Sequence, residues 1–303
     1  MKPSALIRDP RVVVSLLTDQ QEFQQMQAAA ARSAAERAGL GVEVVFAENN
    51  AIVQIHQLFK HVHAAEAERP AAIVVETVTG EGLERVARGA VNAGIGWVLI
   101  SRSVTYLDSL RAQRPDLPIG VVGIDNLEAG RIQGRQLRAL LPKGGAALYL
   151  QGPADTATAT DRLRGAQEVI KGAGIELRVL NGDWTERGGE IIVTNWLRLK
   201  TSEGFRPAAV AAQNDSMAVG ARRALSAQRP DWRDIALTGC DGLPEGGQRL
   251  VRVGELAATI ITPTPAGRAV DLVARAFKGE RFPVRVDLTP NSFPPETELD
   301  KRR

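Results

Sequence analysis

Short apolar runs alternate with longer amphipathic segments along almost the whole chain. The runs Val12 to Leu17, Val42 to Ala47, Ala71 to Glu76, Gly96 to Ile100 and Ile119 to Ile124 predict buried strands, because continuous aliphatic stretches suit a sheet covered on both faces. Between them, apolar positions at helical spacing predict helices over Glu22 to Ala38, Ile52 to about Glu66 and Leu83 to Ala93. A second series follows: helix Leu127 to Leu140, strand Ala146 to Leu150, helix Thr158 to Lys171, strand Glu176 to Leu180, helix Arg187 to Lys200 and strand Ala208 to Ala212. It continues through helix Ser216 to Ala227, strand Ile235 to Cys240, a helix near Glu245 to Val253, strand Ala257 to Ile261, helix Pro265 to Phe277 and strand Val284 to Leu288. This alternation predicts an α/β fold with parallel sheets. The strands exceed what one short parallel sheet holds, and 303 residues suit two similar lobes better than one core.

Two segments break the rhythm. Ser103 to Leu117 has mixed polarity and no periodicity, and is expected to be an irregular excursion. Thr289 to Arg303 is proline-rich and ends in Asp300-Lys301-Arg302-Arg303, which predicts an irregular wrap and a frayed terminus. Gly39, Gly94 and Gly174 stand where helices should end and the chain turn back to the sheet.

Polar residues collect after the strands: Thr18 to Gln21, Glu76 and Thr77, Ser101 and Arg102, Asp125 and Asn126, Gln151, Asn214 and Asp215, Asp241, and Thr262. Strand ends turn polar for caps and turns as well. Yet open α/β sheets hold ligands at the carboxyl ends of their strands, and clustered amides, carboxylates and guanidinium groups suit a hydroxylated ligand. The sharpest case is Gln213 to Ala221, where an apolar run passes at once into a helical pattern. Asn214 is expected at the strand end facing ligand, with Asp215 capping the helix.

Composition narrows the function classes. A hydrophobic content of 44% with 24% charged residues is that of a globular chain with a normal core. The net charge of +3 comes from dispersed arginines, so no nucleic-acid partner is expected. Cys240 is the only cysteine, which excludes an internal disulfide and a cysteine-based metal cluster, and its place at the end of an apolar strand suits a core residue. No apolar run is long enough to span a membrane. The first ten residues lack the apolar centre of a secretory signal, so the expectation is a cytoplasmic protein if this is the native start and a periplasmic one if a signal peptide was trimmed. His56, His61 and His63 lack the three- or four-residue helical spacing of a ligand set, and a solvated helix face is expected. Arg131, Arg135 and Arg138 are likewise expected in solvent, with docking to a partner as the alternative. Gly80-Glu81-Gly82 is an incomplete dinucleotide fingerprint. With no nucleophile or acid–base constellation, neither an enzyme nor a cofactor or metal is expected.

The blocks Gln213-Asn214-Asp215-x-Met217-Ala218-x-Gly220-Ala221, Gly239-x-Asp241-Gly242 and Leu256-Ala257-Ala258-Thr259-Ile260, in this order and spacing, resemble the type I periplasmic sugar-binding proteins, ribose binders above all. The resemblance runs from Arg11 to about Thr289. It implies two Rossmann-like lobes joined by a three-strand hinge, one built from residues 1–123 and 263–287 and the other from 124–262 and 288–303, closing on a small sugar or polyol. Phe23 and Trp184 match the aromatic positions that stack on the sugar ring, and Arg102, Arg164, Asn214 and Asp241 match the polar positions that bind its oxygens. An aromatic face covers C–H groups while charge-assisted hydrogen bonds fix hydroxyl orientation. The arginine choice on this helix lies between Arg162 and Arg164, and the match favours Arg164. Phe23 also suits the first core position of its helix.

The chain departs from the ribose pattern at four places. Ser101 stands where an Asp precedes the first arginine, Gln21 replaces an Asn, Gln24 a second aromatic, and Thr262 a Gln. One acceptor and one stacking ring are lost, which points to a sugar or sugar-like metabolite other than ribose. The resemblance further implies an ABC permease or a sensor kinase as partner for a monomeric, non-catalytic binding protein. The alternatives are the ligand-binding core of a LacI-type regulator, which would need a helix-turn-helix ahead of Arg11, and a Rossmann-type enzyme, which would need a complete phosphate loop.

Overall fold

The computed structural model describes residues 10–79, 82–101, 104–202 and 204–299. In chain order the first elements are β1 (Arg11–Leu16), α1 (Glu22–Ala38), β2 (Gly41–Phe46), α2 (Ala51–Val62), β3 (Ala72–Val75), α3 (Glu84–Asn92), β4 (Gly96–Ile100), α4 (Leu107–Gln113) and β5 (Ile119–Ile124). There follow α5 (Asn126–Leu140), β6 (Gly145–Gln151), α6 (Ala157–Ile170), β7 (Ile175–Asn181), α7 (Glu186–Leu197), β8 (Ala209–Ala212), α8 (Asp215–Gln228) and β9 (Ala236–Thr238). The last are α9 (Gly247–Arg252), β10 (Thr259–Ile261), α10 (Pro265–Phe277), β11 (Arg285–Leu288), β12 (Asn291–Phe293) and α11 (Glu296–Leu299).

By internal packing the chain forms two compact units, Met1–Ile124 with Thr264–Leu288, and Asp125–Pro263 with Thr289–Arg303. In the first, a six-stranded sheet runs β11-β5-β4-β3-β1-β2, parallel throughout. Its strands are apolar on both faces because helices cover both. Val12, Val14, Ala72, Val74, Val98 and Ile100 pack under α1 and α10, while Val13, Ile73, Val75, Trp97 and Leu99 pack under α2, α3 and α4. In the second unit β7-β6-β8-β9 form a parallel sheet, extended by bridges from Thr238 to Ala258 and from Asp241 to Ile261. The predicted α/β architecture with parallel sheets is therefore present in both units. Gly39, Gly94 and Gly174 adopt φ of 68°, 80° and 70°, the left-handed geometry that ends a helix without a Cβ clash.

Two expectations fail. The segment expected to be irregular contains α4, whose Leu107 and Leu110 are buried against the first sheet; Ser103 lies outside the described residues. Polar residues between those leucines hide the short apolar stripe. The proline-rich tail is not wholly irregular either. β12 pairs antiparallel with β10, Thr259 opposite Phe293 and Ile261 opposite Asn291, and α11 follows it. A three-residue strand gives too little alternation to be read from sequence. Residues 300–303, where fraying was expected, lie outside the described residues, as do Gly80 and Glu81 of the glycine motif.

Candidate functional site

In the second unit the carboxyl ends of β6, β7, β8 and β9 carry a dense polar set built mainly from buried side chains. Gln213, directly after β8, is fully buried; its Nε2 donates to the Ala159 carbonyl at 2.9 Å and to the Tyr149 hydroxyl at 3.2 Å, and its Oε1 accepts from Gly152 N at 3.0 Å. Arg162 on α6 is 5% exposed and donates from Nη1 to the Gln213 carbonyl at 2.6 Å and from Nε to Asn126 Oδ1 at 3.0 Å. Close approach of α5 and α6 makes this reach possible. A Cβ at Gly130 would overlap the Arg162 carbonyl, and one at Gly165 the Leu127 carbonyl.

Arg164, the arginine that the resemblance favours, does not join this arrangement. Its side chain is 61% exposed and pairs with Asp161 at 3.0 Å on the outside of α6. The two arginines sit about 200° apart around the helix, so only one of them can face inward. Arg162 faces inward.

Trp184 stands at φ 70° between β7 and α7 and is half-buried. Its indole lies on Gly152, where any Cβ would overlap the ring, and the Arg162 guanidinium carbon is 5.9 Å from the ring centroid. The Trp184 carbonyl accepts from Asn214 Nδ2 at 2.8 Å, while Asn214 Oδ1 accepts from Met217 N at 2.9 Å. Asn214, 7% exposed, is thus the N-cap of α8 and the anchor of the tryptophan loop together. Asp215 is not the cap, as the sequence suggested, but the first helical residue, with its carboxylate directed to neighbouring strand ends. Its Oδ2 accepts from Gly242 N at 2.8 Å and its Oδ1 from Thr259 Oγ1 at 2.6 Å.

Asp241 is half-buried at φ 110°, its amide donating to the Ile260 carbonyl at 3.0 Å and its carbonyl accepting from Thr262 N at 3.1 Å. Thr262 is 2% exposed, and its hydroxyl donates to the same carbonyl at 3.3 Å. Cys240, beside Asp241, is buried, and desolvation pushes its thiol up to about 12, so it stays protonated and suits a packing role better than a nucleophilic one.

The first unit has its own polar set at the carboxyl ends of β1 and β3. Glu76, 7% exposed, accepts at Oε2 from Gln24 Nε2 at 2.9 Å, and Gln24 Oε1 accepts from Leu17 N at 3.2 Å. Gln54 Nε2 donates to the Glu76 carbonyl at 2.8 Å and to Ser15 Oγ at 3.0 Å, while its Oε1 accepts from Val78 N at 3.0 Å. Gln24, expected from the resemblance at an aromatic position, here seats a buried carboxylate. Ser101, at φ 72°, follows β4 and is half-buried. Gln21 and Phe23 begin α1 and are half-buried. Arg102 lies outside the described residues.

Sequence reasoning missed Gln54, Gly152 and the inward place of Arg162, and gave Gln213 no role of its own. Gln54 carried a signal, a polar residue on the apolar face of α2. The others depend on packing between elements far apart in sequence. Of the three histidines, His56 and His63 are exposed as expected and His61 is not. His61 is 8% exposed, 3.7 Å from Glu43, and desolvation holds its pKa below the usual imidazole range. Of the arginines on α5, Arg138 is exposed as expected, while Arg131 pairs with Glu168 at 2.9 Å and Arg135 with Glu128 and Glu296 at 2.8 and 2.9 Å. Among the described residues no helix is long and apolar enough to cross a membrane.

A periplasmic binding protein domain model matches residues 12–281. The galactofuranose-binding protein YtfQ of Escherichia coli is 28% identical over 281 residues, covering 90% of this chain and 85% of that protein. The ribose import binding protein RbsB of Salmonella typhimurium is 27% identical, covering 85% and 82%. Among solved structures, an ABC transporter solute-binding protein from Actinobacillus succinogenes with bound D-allose shares the fold with a TM-score of 0.82 at 19% identity, over 97% of this chain and 100% of that one. One from Bacillus halodurans with bound myo-inositol gives 0.80 at 20% identity, over 98% of each. These relatives bear out the resemblance read from the three sequence blocks, and the chain belongs to the periplasmic binding protein domain family.

Proposed function

We propose that this chain is a non-catalytic solute-binding protein for a sugar or sugar-like polyol, acting with an ABC-type import system. The observation that carries the reading is the set formed by Trp184, Arg162, Asn214 and Asp241 at the strand ends of the second unit. It combines one aromatic face with a guanidinium, an amide and a carboxylate. A sugar ring offers an apolar C–H face and a rim of hydroxyls, and this set matches both. Arg162 replaces Arg164 as the proposed arginine contact. Gln21, Phe23, Ser101 and Arg102 are the proposed contacts of the first unit, and Thr262 supports Asp241.

The names of the relatives support this ligand class: galactofuranose and ribose binding by sequence, D-allose and myo-inositol by fold. The family relationship also supports a periplasmic location. A thermal-shift screen of the purified protein against pentoses, hexoses, furanosides and inositols tests the proposal. A ligand at one hundred times its dissociation constant should stabilise by about 2.7 kcal/mol. Calorimetry on Arg162→Ala and Asp241→Ala should then show affinity reduced by about tenfold or more, as expected for lost charge-assisted hydrogen bonds. Parent-like binding by both variants, or turnover of the bound ligand, would sink the reading. Closure on the ligand, which the family resemblance implies, should register as a smaller radius of gyration in X-ray scattering.

A further inference from the structure

We propose that Asp215 is a positioning residue: its buried carboxylate holds the turn that presents Asp241, so that it governs ligand affinity through Asp241. The proposal rests on the reading of Asp241 as a ligand contact.

Asp241 is flanked on both sides by groups that Asp215 holds. The Asp215 amide donates to the carbonyl of Cys240 at 2.7 Å, and its Oδ2 accepts from the amide of Gly242 at 2.8 Å. The residues immediately before and after Asp241 are therefore tied to one side chain and its own backbone. The second carboxylate oxygen is held by Thr259 Oγ1 at 2.6 Å, on the strand that pairs with the turn. Asp241 needs such support, because φ 110° lies outside the basins a residue with a Cβ adopts freely and persists only where surroundings over-determine it.

The glycines of the turn are shaped around the same carboxylate. A Cβ at Gly239 would overlap Asp215 Oδ1, and one at Gly247 would overlap Oδ2. Gly242, at φ 60°, leaves its amide free to reach Oδ2, and a Cβ there would strike the Ile261 backbone at 2.6 Å. Gly239 and Gly247 thus make room for one anion, and Gly242 supplies its amide to it. An acidic residue in the first turn of a helix often serves only the helix dipole. Asp215 is 8% exposed and directs its oxygens across to β10 and the turn after β9, which a dipole role does not require.

The measurement is a double-mutant cycle with titration calorimetry, using whichever of D-ribose, D-allose and myo-inositol the parent binds. Asp215→Ala should weaken binding by about tenfold or more, and Asp215→Asn, which can still accept from Gly242 and donate to Thr259, should recover most of that loss. In an Asp241→Ala background the further effect of Asp215→Ala should fall below about twofold. Equal losses in both backgrounds would mean a general structural role and overturn the proposal. If Asp215→Ala does not fold, Thr259→Val, which removes the partner of one carboxylate oxygen, takes its place in the cycle. A second readout needs no ligand: hydrogen exchange at the Gly242 amide, followed by NMR, should accelerate in the Asp215 variants. Unchanged protection there removes the clasp. If none of the three probes binds the parent, the cycle uses a sugar or polyol found in the thermal-shift screen; if that screen finds none, the sugar-binding reading fails, while Gly242 exchange still decides whether the clasp exists.

Discussion

Asn214 does two things with one amide, capping α8 and holding the Trp184 carbonyl. Asn214→Ala should therefore lose about 1 kcal/mol of stability, as for a missing N-cap, together with ligand affinity, because the left-handed tryptophan is released. Asn214→Asp separates the two: it keeps the cap acceptor but removes the donor to Trp184, so stability should survive in chemical denaturation while calorimetry shows weaker binding. Gly152 makes the complementary case. Gly152→Ala places a methyl group where the indole now lies, and tryptophan emission should shift towards that of a more solvated ring as affinity falls. Neither role was legible in the sequence. The motif around Asn214 announced a strand end, but which of two adjacent polar residues caps the helix and which crosses to the next strand depends on backbone angles that both can adopt.

Much of the element order was legible, because strands buried on both faces read as unbroken apolar runs and their helices as amphipathic ones. The strands β4 and β5 and the helices α1 and α10 have the bounds their patterns predict. What escaped was short or polar: α4 with two buried leucines, and β12, whose Asn291, Ser292 and Phe293 carry no strand signature alone. The resemblance favours Arg164 over Arg162, and the sequence offers no check on it, since two residues so close in a helix have no phase relative to the sheet until the helix is packed. That packing is tight. Gly165→Ala should clash with the Leu127 carbonyl, cost about 1–3 kcal/mol as overpacking does, and displace the helix that carries Arg162. Between α2 and β2, His61 is held neutral by burial, so the folded state binds its proton less readily than the unfolded chain. Stability should thus fall as pH drops below about 6.5, the unfolded value. His61→Gln should flatten the change in melting temperature between pH 7.5 and about 5.

At the scale of the whole molecule, the chain passes from one unit to the other three times, at 124/125, 263/264 and 288/289. Each unit is therefore assembled from segments distant in sequence, and removing the residues after 263 would take α10 and β11 from the first and β12 from the second. Truncation there should abolish cooperative unfolding of both units, as followed by calorimetric melting, rather than leave one intact. The blocks that revealed the family all lie in the second unit. The polar set of the first unit, where Gln24 seats the buried Glu76 carboxylate, lies outside those blocks and was correspondingly harder to read.

Burial of Cys240 has a practical consequence. The chain has one sulfhydryl, and a thiol that ionises only near pH 12 scarcely reacts with maleimides at neutral pH. A single exposed replacement, such as Val253→Cys at a position 60% exposed, would then take a fluorophore alone, leaving the native cysteine in place. One substitution therefore suffices to place a single label at a chosen point on the surface.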